Sequence, residues 1–293
     1  MEPAQPHIPC PSCGSLEFEL LQAVVDHFLS KEVFDIRSCK SCGLLRTYPY
    51  PDDLDPYYES DEYLSHGAQK AGLFARAYRA AKRVNLRWKL QVIQSFHREG
   101  HIMDYGCGTG DFLDTCAVVG YQVSGAEPSA EARSHIAPHI QDRVSHPDHL
   151  LFKDERYDAI TLWHVLEHIP DPHSVLDRLV GHLRPNGHLF IAVPNVESFD
   201  ATYFGSDWAA WDVPRHLWHF RSNDIDSMAQ RLNLEVVKIK PMLLDVFYVA
   251  LLSARYQGSS KLMALVFSSW ATLRVIFGGR KGCSSLLYVL KRK

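Results

Sequence analysis

Four of the seven cysteines fall in two pairs, Cys10/Cys13 and Cys39/Cys42, each a C-x-x-C followed at once by glycine, Gly14 and Gly43. Thiolates at that spacing, in a chain without a secretion signal, read as metal ligands before they read as disulfides. The glycine lets each knuckle turn so that its amides face the sulfurs, and a closed four-thiolate site holds structure and does no catalysis. A structural zinc ion is the expectation. A second group of residues is the run Asp104-Tyr105-Gly106-Cys107-Gly108-Thr109-Gly110. Glycines between a strand and a helix let backbone approach a ligand without a Cβ clash. The spacing is G-x-G-x-G rather than the G-x-G-x-x-G of dinucleotide sites. An acid just before the turn suits an amino group and opposes a pyrophosphate at a helix N-terminus. Glu127 closes the next strand, where a carboxylate can accept both hydroxyls of a ribose.

Two further clusters carry ionisable groups. His164, Glu167 and His168 form H-x-x-E-H. On a helix that spacing supplies metal ligands in zinc peptidases, but here it directly follows a strand of an alternating β/α pattern. The stretch "NVESFDATYFGSDWAAWDVPRHLWHF" then brings Trp208, Trp211, Asp212, Arg215, His216 and His219 within a dozen residues. It follows a strand end, where open α/β sheets bind ligands. Aromatics, a guanidinium and imidazoles crowded there suggest a substrate pocket, or a loop that packs back onto the sheet. His216 is the first candidate for a general base, because imidazole titrates near neutral pH, and His168 is the second.

The elements that must position these residues follow from the hydrophobic pattern. Residues 1–50 read as a zinc-ribbon module with strands between its knuckles. Residues 51–98 read as a linker, with Tyr57, Tyr58 and Tyr63 available to line a pocket or to pack the module, and a helical segment. Its run of Lys70, Arg76, Arg79, Lys82, Arg83, Arg87 and Lys89 contains no acid across 70–89. That run suits a solvated helix face or a face for phosphates. From 99 to 293, strands alternate with helices, which implies a Rossmann-like α/β fold: a seven-stranded, mostly parallel sheet with an antiparallel last strand. The stretch 196–222 is an insertion. The apolar stretch 242–280 suggests a lid, a dimer contact or an interfacial helix.

"DYGCGTGDFL", "GAEPS", "YDAITLWHVLEHIPDP" and "LRPNGHLFIAVPN" resemble, in order and spacing, the successive motifs of class I S-adenosylmethionine (SAM) methyltransferases. The resemblance implies that Asp104, Gly106, Cys107, Gly108 and Phe112 surround the methionine part of SAM. It implies that Glu127 and Pro128 hold the ribose side, and that Trp163, His164 and Val165 lie near the sulfonium. Around "VLEH" the chain is similar to ubiquinone-biosynthesis O-methyltransferases, whose E-x-x-E-H stretch is described as binding a divalent ion. His164 stands where that pattern has Glu, which disfavours a hard ion such as Mg²⁺. Over nearly its whole length the chain resembles bacterial methyltransferases with an N-terminal four-cysteine module. Its layout is also similar to that of sugar C-methyltransferases. The acceptor implied is a small molecule or glycan. RNA is the alternative, with the zinc module and the basic helix as its footprint, and a non-catalytic SAM-binding scaffold is a third reading.

Bulk composition narrows the classes. Apolar residues make up 46% and charged residues 22%, an ordinary globular balance. The net charge of −3 gives no global pull toward nucleic acid or membrane. The start, Met1 to Pro11, has no apolar run, and no stretch approaches the roughly 18 to 20 apolar residues of a transmembrane span. The expectation is a cytoplasmic protein, with a homodimer as an option.

Overall fold

A computed structural model describes residues 8–51, 54–57, 73–150 and 155–293. Tyr58, Tyr63 and Lys70 lie outside the described residues. In chain order the elements are β1 (Phe18–Val25), β2 (Val33–Cys39), β3 (Leu45–Tyr48), α1 (Leu73–Gln94), β4 (His101–Tyr105), α2 (Asp111–Val118), β5 (Gln122–Ala126), α3 (Ala130–Ser134), β6 (Val144–Ser145), α4 (Pro147–Leu150), β7 (Tyr157–Trp163), α5 (Pro172–Gly181), β8 (Leu183–Pro194), α6 (Phe199–Phe204), β9 (Trp218–His219), α7 (Ser222–Arg231), β10 (Leu234–Pro241), α8 (Leu243–Tyr256), α9 (Lys261–Ile276) and β11 (Ser285–Arg292).

The main sheet has seven strands in the order β10-β11-β8-β7-β4-β5-β6. Pairs β8–β7, β7–β4, β4–β5 and β5–β6 are parallel. β11 runs antiparallel between β8 and β10. In the central strand β7, Ala159 through Trp163 are all buried. Such a continuous apolar run is what a strand covered on both faces requires. β11 is buried from Ser285 to Leu290 for the same reason, which explains why so apolar a segment ends the chain without an exposed edge. Local signals fix the helix starts. Asp171 caps α5 by accepting from the Ser174 amide at 3.1 Å, with Pro172 in the first turn.

A second sheet of four strands has the order β1-β2-β3-β9. Its fourth strand comes from the 196–222 insertion: Leu45 pairs with His219 and Arg46 with Trp218. The cysteine module therefore shares a sheet with the main domain's insertion. The dock is polar as well as apolar. Arg221 at the start of α7 donates to the Cys42 carbonyl at 2.7 Å and is held by Asp224 at 2.8 Å. Arg231 donates to the Pro11 carbonyl, also at 2.7 Å. Gly43 allows this approach, since a Cβ there would meet the Arg221 guanidinium at 2.6 Å.

Candidate active site and metal centre

The glycine turn leaves the end of β4 with Gly106, Gly108 and Gly110 at φ +73, +55 and +76°, the left-handed region that side chains avoid. A Cβ on Gly106 would collide with Val165 at 2.5 Å, whereas one on Gly108 would meet nothing within 4 Å. The turn is thus packed on one side and open on the other. Glu127, buried at the end of β5, spans the turn. One carboxylate oxygen accepts from the Gly108 amide at 2.8 Å, and the other accepts from the Ser129 amide at 2.9 Å. Each oxygen keeps a second lone pair for a ligand hydroxyl. Pro128 is exposed beside it, its carbonyl accepting from Arg133 at 2.8 Å.

Asp104 is 3% exposed, and Thr161 donates to it at 2.6 Å. Burial pushes its carboxyl up to about 7, against the opposing pull of the Thr161 hydroxyl and the Lys89 ammonium. Lys89 reaches in from α1: burial lowers its pKa while Asp104, Asp245 and Asp111 raise it. Its ammonium lies 4.5 Å from the Trp163 ring and 6.0 Å from that of Phe112. The Trp163 and Phe112 rings meet edge to face at 5.4 Å. The Trp163 indole N–H is buried without a hydrogen-bond partner among the described residues. Cys107 and Phe112 are buried beneath the turn. The basic run of α1 therefore divides: Arg76, Arg79, Lys82, Arg83 and Arg87 are exposed, while Lys89 turns inward.

At the end of β7, His164 takes φ +57°, strain that a non-glycine residue bears only where its surroundings hold it. They do so here. Its ring bridges two carboxylates, Asp245 of α8 at 3.0 Å and Glu167 at 3.4 Å. Burial alone would lower its pKa, but the two carboxylates outweigh it and raise the imidazole to about 9. His164 is an imidazolium at neutral pH, and it ties α8 to the end of β7.

The insertion cluster, read in the sequence as a substrate pocket or a loop packed onto the sheet, contains a group bonded within the protein and His216, which meets His168 from outside the insertion. Trp208, Trp211, Arg215 and His219 are buried, with polar atoms bonded to protein. The Trp208 indole donates to Asp200 at 2.9 Å, and that of Trp211 donates to the Gly205 carbonyl at 2.8 Å. His219 bonds the Thr47 hydroxyl at 2.9 Å. The Arg215 guanidinium pairs with Asp212 at 2.6 Å and with Asp26 of the cysteine module at 3.4 Å. These residues join the insertion to the second sheet, the packing that the sequence offered beside a substrate pocket. The rings of His168 and His216 meet edge to face at 4.6 Å. Each has Nδ1 at 2.9 Å from a carbonyl, of Arg215 and Ala210 respectively. Nδ1 therefore carries the proton, and the basic electron pair sits on Nε2. Burial and the His216 ring lower the His168 pKa to about 4, so it is neutral at pH 7.

The four cysteine sulfurs lie within 4.8 Å of one another, with Cys10–Cys42 and Cys13–Cys39 at 3.5 Å. A tetrahedral ion with bonds of about 2.3 Å needs sulfur separations of about 3.8 Å, so the set fits zinc. Amides of Ser12 and Cys13 face the Cys10 sulfur, and those of Ser41 and Cys42 face Cys39.

Sequence reasoning missed three residues of this region: Lys89, absorbed into the basic run; Asp245, which lies inside the apolar stretch 242–280; and Thr161. The lack of an acid near Lys89 in sequence hid the acids that surround it in space.

The family described as a methyltransferase domain matches residues 75–239. A ubiquinone biosynthesis O-methyltransferase of Serratia proteamaculans (strain 568) is 36% identical over 104 residues, covering 32% of this chain and 42% of that protein. The chain thus spans about two fifths of the length of that relative. The structure of magnesium protoporphyrin IX methyltransferase from Synechocystis PCC 6803 with bound SAH superposes with a TM-score of 0.54 at 13% identity, covering 81% of this chain and 97% of that one. A SAM dependent methyltransferase from Archaeoglobus fulgidus superposes with a TM-score of 0.51 at 19% identity, covering 75% and 98%. At these identities the structures speak for a shared fold.

Proposed function

The chain belongs to the methyltransferase domain family, and on that premise we propose that it transfers the methyl group of SAM to a small-molecule acceptor. The observation that carries this reading is the cradle at the end of β4 and β5: an open Gly108 beneath a buried Asp104 and a Glu127 fixed by two amides. SAM brings a methyl group already activated on a sulfonium, so the protein's share is positioning and proton removal. Glu127 offers its remaining lone pairs to the ribose hydroxyls. Asp104 and Lys89 present opposite charges to the two ends of an amino acid. The faces of Trp163 and Phe112 attract a cation electrostatically. His164, Val165, Cys107 and Pro128 complete the wall of this site in the proposal.

For the acceptor, His216 and His168 are the candidate bases, each with Nδ1 donating to a carbonyl and its electron pair on Nε2; the pKa of about 4 keeps His168 neutral at pH 7 but leaves it a weak base. The relatives named as O-methyltransferases favour an oxygen acceptor, a hydroxyl of a small molecule or glycan. The four thiolates hold a structural zinc ion in this reading, and the insertion docks on the module that the ion stabilises.

Isothermal titration of the purified protein with SAM and with S-adenosylhomocysteine, alongside metal analysis of the same sample, tests both parts. The expected outcome is saturable binding of both nucleosides and about one zinc per chain, as one four-thiolate site implies. Well-folded protein that binds neither nucleoside would overturn the methyltransferase reading. Zinc-free folded protein would overturn the metal assignment alone.

A further inference from the structure

Helix α9 is built inside out. The face it packs against the protein is Ala264, Ser268, Ala271 and Val275, all buried and mostly small. Its solvent face is Leu262, Val266, Trp270 and Leu273, spaced four, four and three apart and continued by Phe277 four residues on, which makes one stripe down the helix. Phe277 is 84% exposed and Leu262 71%. A surface helix of a water-soluble protein carries its large apolar residues on the opposite face. Contiguous exposed apolar area of this kind marks an interaction site.

Charge identifies what covers it. The one acid of the hairpin formed by α8, α9 and the turn after them is Asp245, turned inward onto His164, while Arg255, Arg274 and Lys281 of the same segment are exposed. Arg274 stacks over Trp270 at 5.2 Å, so a cation lies beside the apolar stripe. A twofold dimer through this face would set the exposed cations of the hairpin against their own copies, leaving like charges unpaired. A negatively charged lipid surface offers both an apolar layer for the stripe and anions for the cations. No helix among the described residues is long and apolar enough to cross a membrane. With 16 residues, α9 is about 24 Å long, short of the ~30 Å hydrocarbon core, so it would lie in the interface rather than span it.

We propose that the α8–α9 hairpin docks the protein on anionic membrane surfaces through Leu262, Val266, Trp270, Leu273 and Phe277, with the flanking cations. The proposal stands independently of methyl transfer. α8 also carries the Asp245 that holds His164 at 3.0 Å, which places the docked element at the ligand edge of the sheet.

Co-sedimentation of the full chain with phosphatidylcholine vesicles, and with vesicles that also contain phosphatidylglycerol, tests the proposal. Partition is expected to be at least ~10-fold greater onto the anionic vesicles and to fade with added salt, because surface charges are screened beyond about 10 Å at ~0.1 M. The double substitution Val266→Ser/Phe277→Ser should abolish pelleting while leaving the melting temperature unchanged. Lys281→Glu should weaken it without touching the apolar stripe. Absence of pelleting with anionic vesicles, or equal pelleting with neutral ones, would overturn the proposal. So would a dimer in light scattering that the same double substitution disperses, because a second copy would then be the occupant.

Discussion

Asp104 gives the sharpest test, because the same burial that suits it to a ligand costs the free protein stability. In the unfolded chain an aspartate ionises near 3.9. In the fold, burial raises Asp104 to about 7. Between those values the native state keeps a proton that the unfolded state has released. The associated stability is therefore fully present below about pH 4 and is lost as pH rises through 7. The gap of about three units corresponds to about 4 kcal/mol above pH 7, and to about 2 kcal/mol at pH 5.5. Asp104→Asn keeps the shape and the acceptor for the Thr161 hydroxyl but removes the ionisation. Urea unfolding of both proteins at pH 5.5 and 8.5 should show the variant more stable at both, with the advantage growing by about 2 kcal/mol between them. SAM affinity should move the other way, falling at least ~10-fold in the variant, as loss of a buried charge-assisted hydrogen bond implies. In the parent protein, affinity should rise with pH up to about 7 and then level off, since the ionised carboxylate is the form that meets an ammonium. A variant no more stable than the parent at pH 8.5 would refute the argument that burial strains this carboxylate.

Four further outcomes are expected. Glu127→Gln should weaken SAM binding while keeping the fold, and Glu127→Ala should in addition loosen the glycine turn, seen as faster amide exchange at Gly108, whose N–H it accepts. Cys39→Ser should lower zinc content and melting temperature together. The fluorescence of Trp218, buried in the strand that docks on the module, should shift to the red. With His168 as the base, the acid limb of the turnover profile should fall near pH 4 to 5 rather than 6.5, because its pKa is lowered to about 4 and the neutral ring is the active form; His168→Ala should remove that limb. Arg215→Ala should cost about 3–5 kcal/mol in chemical denaturation, because it leaves Asp26 buried at 1% exposure without its cation.

Several features were legible in the residues alone because they rest on short-range rules. Two C-x-x-C-G knuckles, a glycine turn after an acid, and a carboxylate closing the next strand are all set by covalent spacing and by backbone sterics. The alternation of apolar strands with helices implied the parallel sheet. The last strand was expected to run antiparallel and does, although α8 and α9 lie between it and β10. Tertiary structure decided what depends on neighbours distant in sequence. The insertion lends β9 to the cysteine module, and Trp208, Trp211, Arg215 and His219 are buried at that joint. Lys89 leaves its basic run to face Asp104 and Trp163. His164 becomes a cation because Asp245, 81 residues away, folds onto it beside Glu167. Protonation states and partners of this kind follow from burial and from the charges within a few ångströms, and linear spacing carries neither.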